Sequence, residues 1–177
     1  MIRQLVVVDC ETTGLHDGAA ILEVAAVNVD TGAELHFVPF VTREQLAQAQ
    51  PMAMQMNRYY ERGIWQRRLS PDSTDAAYWK LANMLAGNTF AGSNPAFDSR
   101  LLAAAMPDGA PEWHHRLADL AAFTAGKLNL DPVELPGLDA VCERLGVTVG
   151  DRHSALADAH ATATCFTILR EIPAAAL

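Results

Sequence analysis

VVVDCETTGL, residues 6–15, decides how the rest of the chain is read. Three valines run into Asp9, and Glu11 follows two positions later. A buried apolar run of this kind reads as a strand. Strand side chains alternate, so Asp9 and Glu11 share one face and Cys10 points to the other. Two like charges side by side repel and raise each other's pKa. A fold tolerates them where both stay in water or where a cation lies between them. Thr12, Thr13 and Gly14 then form a tight polar turn whose backbone N–H groups are available to a phosphate.

Two further acids sit in a matched local context. In SNPAFDSRLL, Asn94 has the character of a helix N-cap and Pro95 suits the first helical position, which puts Asp98 one turn inside the helix. In HSALAD, Ser154 can cap a last helix, leaving His153 on the loop before it and Asp158 one turn inside. A carboxylate in the first turn is favoured by the helix dipole alone. Four acids at strand ends and helix starts, with one loop histidine, are harder to explain that way.

The other elements read as follows. Residues 4–9 form a buried strand, ILEVAAVNVDTG (21–32) a second strand with its turn, and AELHFVPFV (33–41) a third. DAAYWKLANMLAG (75–87) is a helix with a glycine stop, NTFAG (88–92) a short strand, and NPAFDSRLLAAAM (94–106) a helix. HRLADLAAFTAG (115–126) reads as a strand running into a helix, and 138–146 and 154–172 as two more helices. Strands first and helices later, with one alternation between them, indicate an α/β fold with a mixed sheet. The reading treats residues 1–177 as one domain.

Composition bounds the function. Half of the residues are apolar, so the chain can bury a core. Its net charge of −8 argues against a protein that grips long nucleic acid by charge, although a multi-acid metal site would cancel part of that charge. No apolar run is long enough to span a bilayer, and the N-terminus does not look like a signal peptide, which makes a cytoplasmic address the expectation. Cys10, Cys142 and Cys165 have neither disulfide nor zinc spacing, and buried free thiols are expected.

DxETTG (Asp9–Gly14), NxxFD (Asn94–Asp98) and HxxxxD (His153–Asp158), in this order, resemble the three motifs of the DEDDh family of 3′→5′ exonucleases, the group that contains the proofreading subunit of bacterial DNA polymerase III. ILEVAAVNVDTG and PGLDAVCERLGV add to the resemblance, which spans residues 4–170. It implies a ribonuclease H-like fold, a mixed five-stranded sheet flanked by helices. It also implies that Asp9, Glu11, Asp98 and Asp158 hold two Mg²⁺ or Mn²⁺ ions and that His153 is the general base. The chemistry is consistent with those roles. Hard oxygen ligands suit Mg²⁺ or Mn²⁺, and two ions about 4 Å apart stabilise charge on both the attacking and the leaving oxygen. Histidine titrates near neutrality and can take a proton from the attacking water.

By the same resemblance, Thr12, Thr13 and Gly14 face the terminal nucleotide, Leu15 packs on its base, and Asn94 and Phe97 touch substrate. Leu15 as a core leucine, Asn94 as a cap and Phe97 as a core aromatic remain open alternatives. The expected reaction releases nucleoside 5′-monophosphates from the 3′ end of a single strand, with DNA favoured over RNA. The setting is either a free-standing trimming enzyme or a subunit bound to a DNA polymerase. The rivals are an exoribonuclease of the same family and a non-catalytic module on the same fold.

One segment departs from the family. Residues 43–72 carry five arginines against three acids, with Tyr59, Tyr60 and Trp65 interleaved. Either the segment packs on the sheet with solvated arginines, or Arg62, Arg67 and Arg68 border the path of the strand. Glu23, inside the second strand, is a candidate supporting group for the site.

Overall fold

In the computed structural model, which describes residues 2–173, one five-stranded sheet runs through the molecule. Its strands are β1 (Leu5–Thr12), β2 (Ile21–Asn28), β3 (Glu34–Phe37), β4 (Thr89–Gly92) and β5 (His114–Asp119), in the order β3-β2-β1-β4-β5. β1, β2 and β3 pair antiparallel, and β4 and β5 add parallel to β1. The helices are α1 (Arg43–Ala47), α2 (Pro51–Met56), α3 (Pro71–Leu85), α4 (Pro95–Ala105), α5 (Leu120–Leu128), α6 (Leu138–Leu145) and α7 (Ala155–Glu171), and a 3-10 turn spans Ile64–Arg67.

β1 lies in the middle of the sheet, which explains its unbroken valine run: both of its faces are covered. Val6, Val8 and Cys10 pack with Tyr78, Leu81 and Leu85 of α3 and Leu101 and Leu102 of α4. Leu5 and Val7 face the other way, onto Leu120 of α5, Val141 of α6 and Phe166 and Leu169 of α7. Strand parity therefore aims Asp9 and Glu11 at the α7 side. On β2, Glu23 stands directly across from Glu11 and shares that side with Ala25 and Val27.

β3 is shorter than the sequence reading. It ends at Phe37, ahead of Pro39, which has no N–H to give to a ladder. Conversely, β1 runs three residues past Asp9, and α3 starts at Pro71, four residues early, under the cap of Ser70. β5 opens at His114, one residue ahead of the strand start expected at 115. A small third cluster, built on Leu22, Val38, Tyr59 and Ile64, fixes the 43–68 segment to the outer half of the sheet. All three cysteines are free and buried, and the sulfurs of Cys142 and Cys165 lie 3.7 Å apart. Among the described residues no helix is long and apolar enough to cross a membrane.

Candidate active site

The open end of β1 and the start of α7 meet. Asp9 and Glu11 come from the strand and Asp158 from the first turn of the helix. Each presents a carboxylate oxygen, and the three oxygens lie within 4.8 Å of one another. Asp98, in the first turn of α4, is buried beside them. One of its oxygens accepts the Cys10 N–H at 3.0 Å, which ties α4 to β1.

The electrostatics are those of crowded anions. Burial, then the charges of Asp98, Glu11, Asp158 and Glu23, push Asp9 well above the usual carboxylate range. Burial and the Asp158 and Glu23 charges raise Glu11 to about 7. Burial carries Asp98 to about 7, against the opposing hydrogen bond from Cys10. Asp158 is also raised by burial, in part offset by His153. A divalent cation removes this conflict, and carboxylate oxygens are the donors that Mg²⁺ and Mn²⁺ prefer. The residues present therefore fit such ions.

His153 is exposed at the rim of this cluster. Its backbone is in the left-handed region, φ 57°, a conformation that costs a non-glycine residue of order 1–3 kcal/mol. The His153 N–H donates to Asp158 Oδ2 at 3.1 Å and its carbonyl accepts from Arg62 Nη1 at 3.0 Å.

A cavity of about 210 Å³ opens beside the acids. It is lined by Glu11, Leu15, Gln50, Met56, Phe97 and His153, among others. Leu15 is 77% exposed, so it is not a core leucine. Thr12 and Thr13 are buried and hold the turn that carries it. Thr12 Oγ1 donates to the Gly14 carbonyl at 2.8 Å, and Thr13 Oγ1 accepts the Ala20 N–H at 2.8 Å. The Thr13 and Leu15 N–H groups already have protein acceptors, the Ala20 carbonyl and Gln50 Oε1, so they are not free for a phosphate. Gly14 lies so close to Gln50 that a Cβ there would come within 2.6 Å of its Oε1.

Asn94 departs from its expected role. It occupies the N-cap position of α4 but in a left-handed conformation, φ 62°, and its side chain makes no cap hydrogen bond. Asn tolerates that backbone better than most residues. Ser154 likewise precedes α7 without a side-chain cap bond; the Glu23 carboxylate instead accepts from the helix start, at the Ala155 N–H, 3.4 Å.

The 43–68 segment also differs from expectation. Tyr59 is fully buried, whereas Tyr60 and Trp65 are exposed. Arg62 turns inward to Glu23, and Arg68 donates to the Val41 carbonyl and covers the Phe40 ring. The sequence reading missed Gln50, Met52, Met56 and Asn57. The buried Asn57 amide donates to the Thr12 carbonyl at 3.1 Å, and no spacing rule announces that contact.

The sequence pattern of a family described as RNase_T, Exonuclease, matches residues 6–166. The chain thus belongs to this exonuclease family, within the DEDDh class of 3′→5′ exonucleases, and has its ribonuclease H-like fold. No curated protein sequence matches it. Similar solved structures include a product-bound exonuclease I (TM-score 0.73, 17% identity, 96% of this chain and 44% of that one). Exonuclease I of E. coli with a dT13 oligonucleotide has a TM-score of 0.68 and 17% identity, over 97% of this chain and 42% of that one. A moderately thermophilic exonuclease I from Methylocaldum szegediense has a TM-score of 0.69 and 18% identity, over 96% and 41%. The chain therefore spans about two fifths of the length of these solved chains. Family and acid cluster together imply dependence on a divalent metal.

Proposed function

We propose that the chain hydrolyses single-stranded DNA from its 3′ end and releases nucleoside 5′-monophosphates. The observation that carries this reading is the convergence of three carboxylates beside a small, partly apolar cavity, with His153 on its rim. Asp9, Glu11, Asp98 and Asp158 would hold two Mg²⁺ or Mn²⁺ ions. When bound, such a pair neutralises charge on the attacking and leaving oxygens of the phosphodiester. His153 accepts the proton of the attacking water as general base. Its exposure leaves the imidazole open to that water.

Leu15, Met56 and Phe97 offer apolar surface to the terminal base. Thr12, Thr13 and Gly14 hold Leu15 in place, and Asn94 stands at the mouth of α4. DNA is favoured as the polymer because the E. coli exonuclease I structure holds dT13. A net charge of −8 suits a short grip on a strand end better than a long basic groove.

The test is a gel of 5′-labelled single-stranded DNA and RNA of matched sequence, with Mg²⁺, Mn²⁺ or chelator. The expected result is a metal-dependent ladder shortening from the 3′ end, faster on DNA. Asp9→Ala and His153→Ala should each slow it by roughly 100-fold or more. Faster cutting of RNA would reassign the sugar. The absence of any ladder from folded protein would reject the nuclease reading.

A further inference from the structure

Residues 151–153 lead into α7 and carry His153, yet much of what holds them comes from a distant part of the chain. Arg62 lies just ahead of the 3-10 turn, and its side chain is 10% exposed. Its guanidinium forks onto Glu23, Nη1 to Oε2 at 3.0 Å and Nη2 to Oε1 at 3.2 Å. Glu23 has no exposure and also accepts from His36 Nε2 at 2.8 Å. Nη1 of Arg62 reaches the carbonyls of Asn57, 3.2 Å, and His153, 3.0 Å. Its Nε lies 3.3 Å from Asp151, which also pairs with Arg58.

One side chain thus joins β2, the 57–62 turn and the histidine loop. A planar guanidinium can reach all of these partners, the two N–H groups of Nη1 being shared among three acceptors, and a lysine ammonium cannot. The His153 backbone is strained, and it is held on both sides: its N–H by Asp158 and its carbonyl by Arg62. Releasing the carbonyl frees the peptide to leave the left-handed region, which swings the imidazole off its present aim.

We propose that Arg62, seated on Glu23, is the positioning residue for His153; the inference rests on the nuclease reading above. It replaces the view of Arg62 as a grip on the substrate strand. Arg62 fixes the direction of the base, touches neither substrate nor reacting atoms, and acts on the chemical step instead of on binding.

The test is a double-mutant cycle on the full chain with a short labelled single-stranded DNA and Mn²⁺. Arg62→Met should lower kcat by roughly 10- to 100-fold, with KM and the Mn²⁺ requirement within about twofold. In a His153→Ala background the same substitution should change kcat by less than about twofold, because there is no imidazole left to aim. Should Arg62→Met fail to fold, Arg62→Lys carries the same cycle with the charge retained. An equal loss of kcat in both backgrounds would overturn the proposal, since it would mean general structural damage. A rise in KM alone would also overturn it and return Arg62 to substrate binding. Wild-type activity in the His153→Ala variant, or no metal-dependent hydrolysis by the wild type, would defeat the parent reading without any reference to Arg62.

Discussion

Glu23 is wholly buried, yet its pKa lies below the ordinary value. Burial alone would raise it, but hydrogen bonds from His36 and Arg62 and the Arg62 charge outweigh that effect. It is therefore an ionised carboxylate at neutral pH, and its contribution to stability fades only as pH falls through the acid range. Removing one partner of a buried pair strands the other. Glu23→Ala should cost about 3–5 kcal/mol in urea unfolding at pH 7, with Glu23→Gln well below that. A loss under about 1 kcal/mol would mean that Arg62 finds water as easily as it found Glu23. The convergence of Asp9, Glu11 and Asp158 could be anticipated from sequence because strand alternation and helix-start position are local rules. The Glu23 network could not. Its side-chain partners His36 and Arg62 lie 13 and 39 residues away and the Ala155 N–H 132 residues away, and only the folded sheet brings them together.

At the level of elements, β1, β4, α4, α5 and α7 could be read from valine runs, turn residues and apolar spacing. The helix caps could not. Asn94 and Ser154 occupy the right positions, but neither side chain makes a cap bond: Asn94 sits in a left-handed conformation, and at α7 the Glu23 carboxylate accepts from the helix start instead. The 43–72 segment was legible only as arginine-rich and aromatic. Which aromatic is buried depends on packing against Leu22 and Val38, and that choice put Tyr59 inside and Tyr60 outside. The family resemblance implied a mixed five-stranded sheet, but the strand order β3-β2-β1-β4-β5 was not legible, because non-local pairing has no signature in composition. The same segment, through α2, provides one wall of the cavity that Leu15 faces. If that wall receives a base, Leu15→Ala and Met56→Ala should each raise KM by roughly tenfold, the worth of one apolar contact, with kcat changed by less than about threefold. Steady-state kinetics on a short oligonucleotide checks this. An unchanged KM in both variants would move the base elsewhere.

For the whole molecule, the acid cluster makes stability depend on pH and metal together. Glu11 and Asp98 have folded pKa values of about 7, against an ordinary carboxylate range near 4. Between these limits the folded site keeps protons that the unfolded chain has released. Stability must therefore fall as pH rises through this window. In chelator, Tm should be highest near pH 5 and lower by about 5–10 °C at pH 8. Saturating Mn²⁺ should raise the pH 8 value by binding only the folded state. Asp158→Asn should also raise it in chelator, while losing most of the response to Mn²⁺. A Tm in chelator that climbs from pH 5 to 8 would contradict the crowding of these groups. The charge conflict is thus a trade of stability for function, and the folded sheet withstands it because β1 is covered on both faces.

The parts of the site enter the chain far apart in time. Asp9 and Glu11 lie on β1, Asp98 follows on α4, and His153 and Asp158 come only where α7 begins. A ribosome working from the N-terminus therefore holds a chain with two of these four carboxylates while residues 12–97 are added. The histidine and the last acid arrive together, on one loop and one helix turn, and Arg62 and Glu23 are already waiting to receive them. A chain built in this order gains a complete acid cluster only once α7 has been made and has packed against β1 and β2.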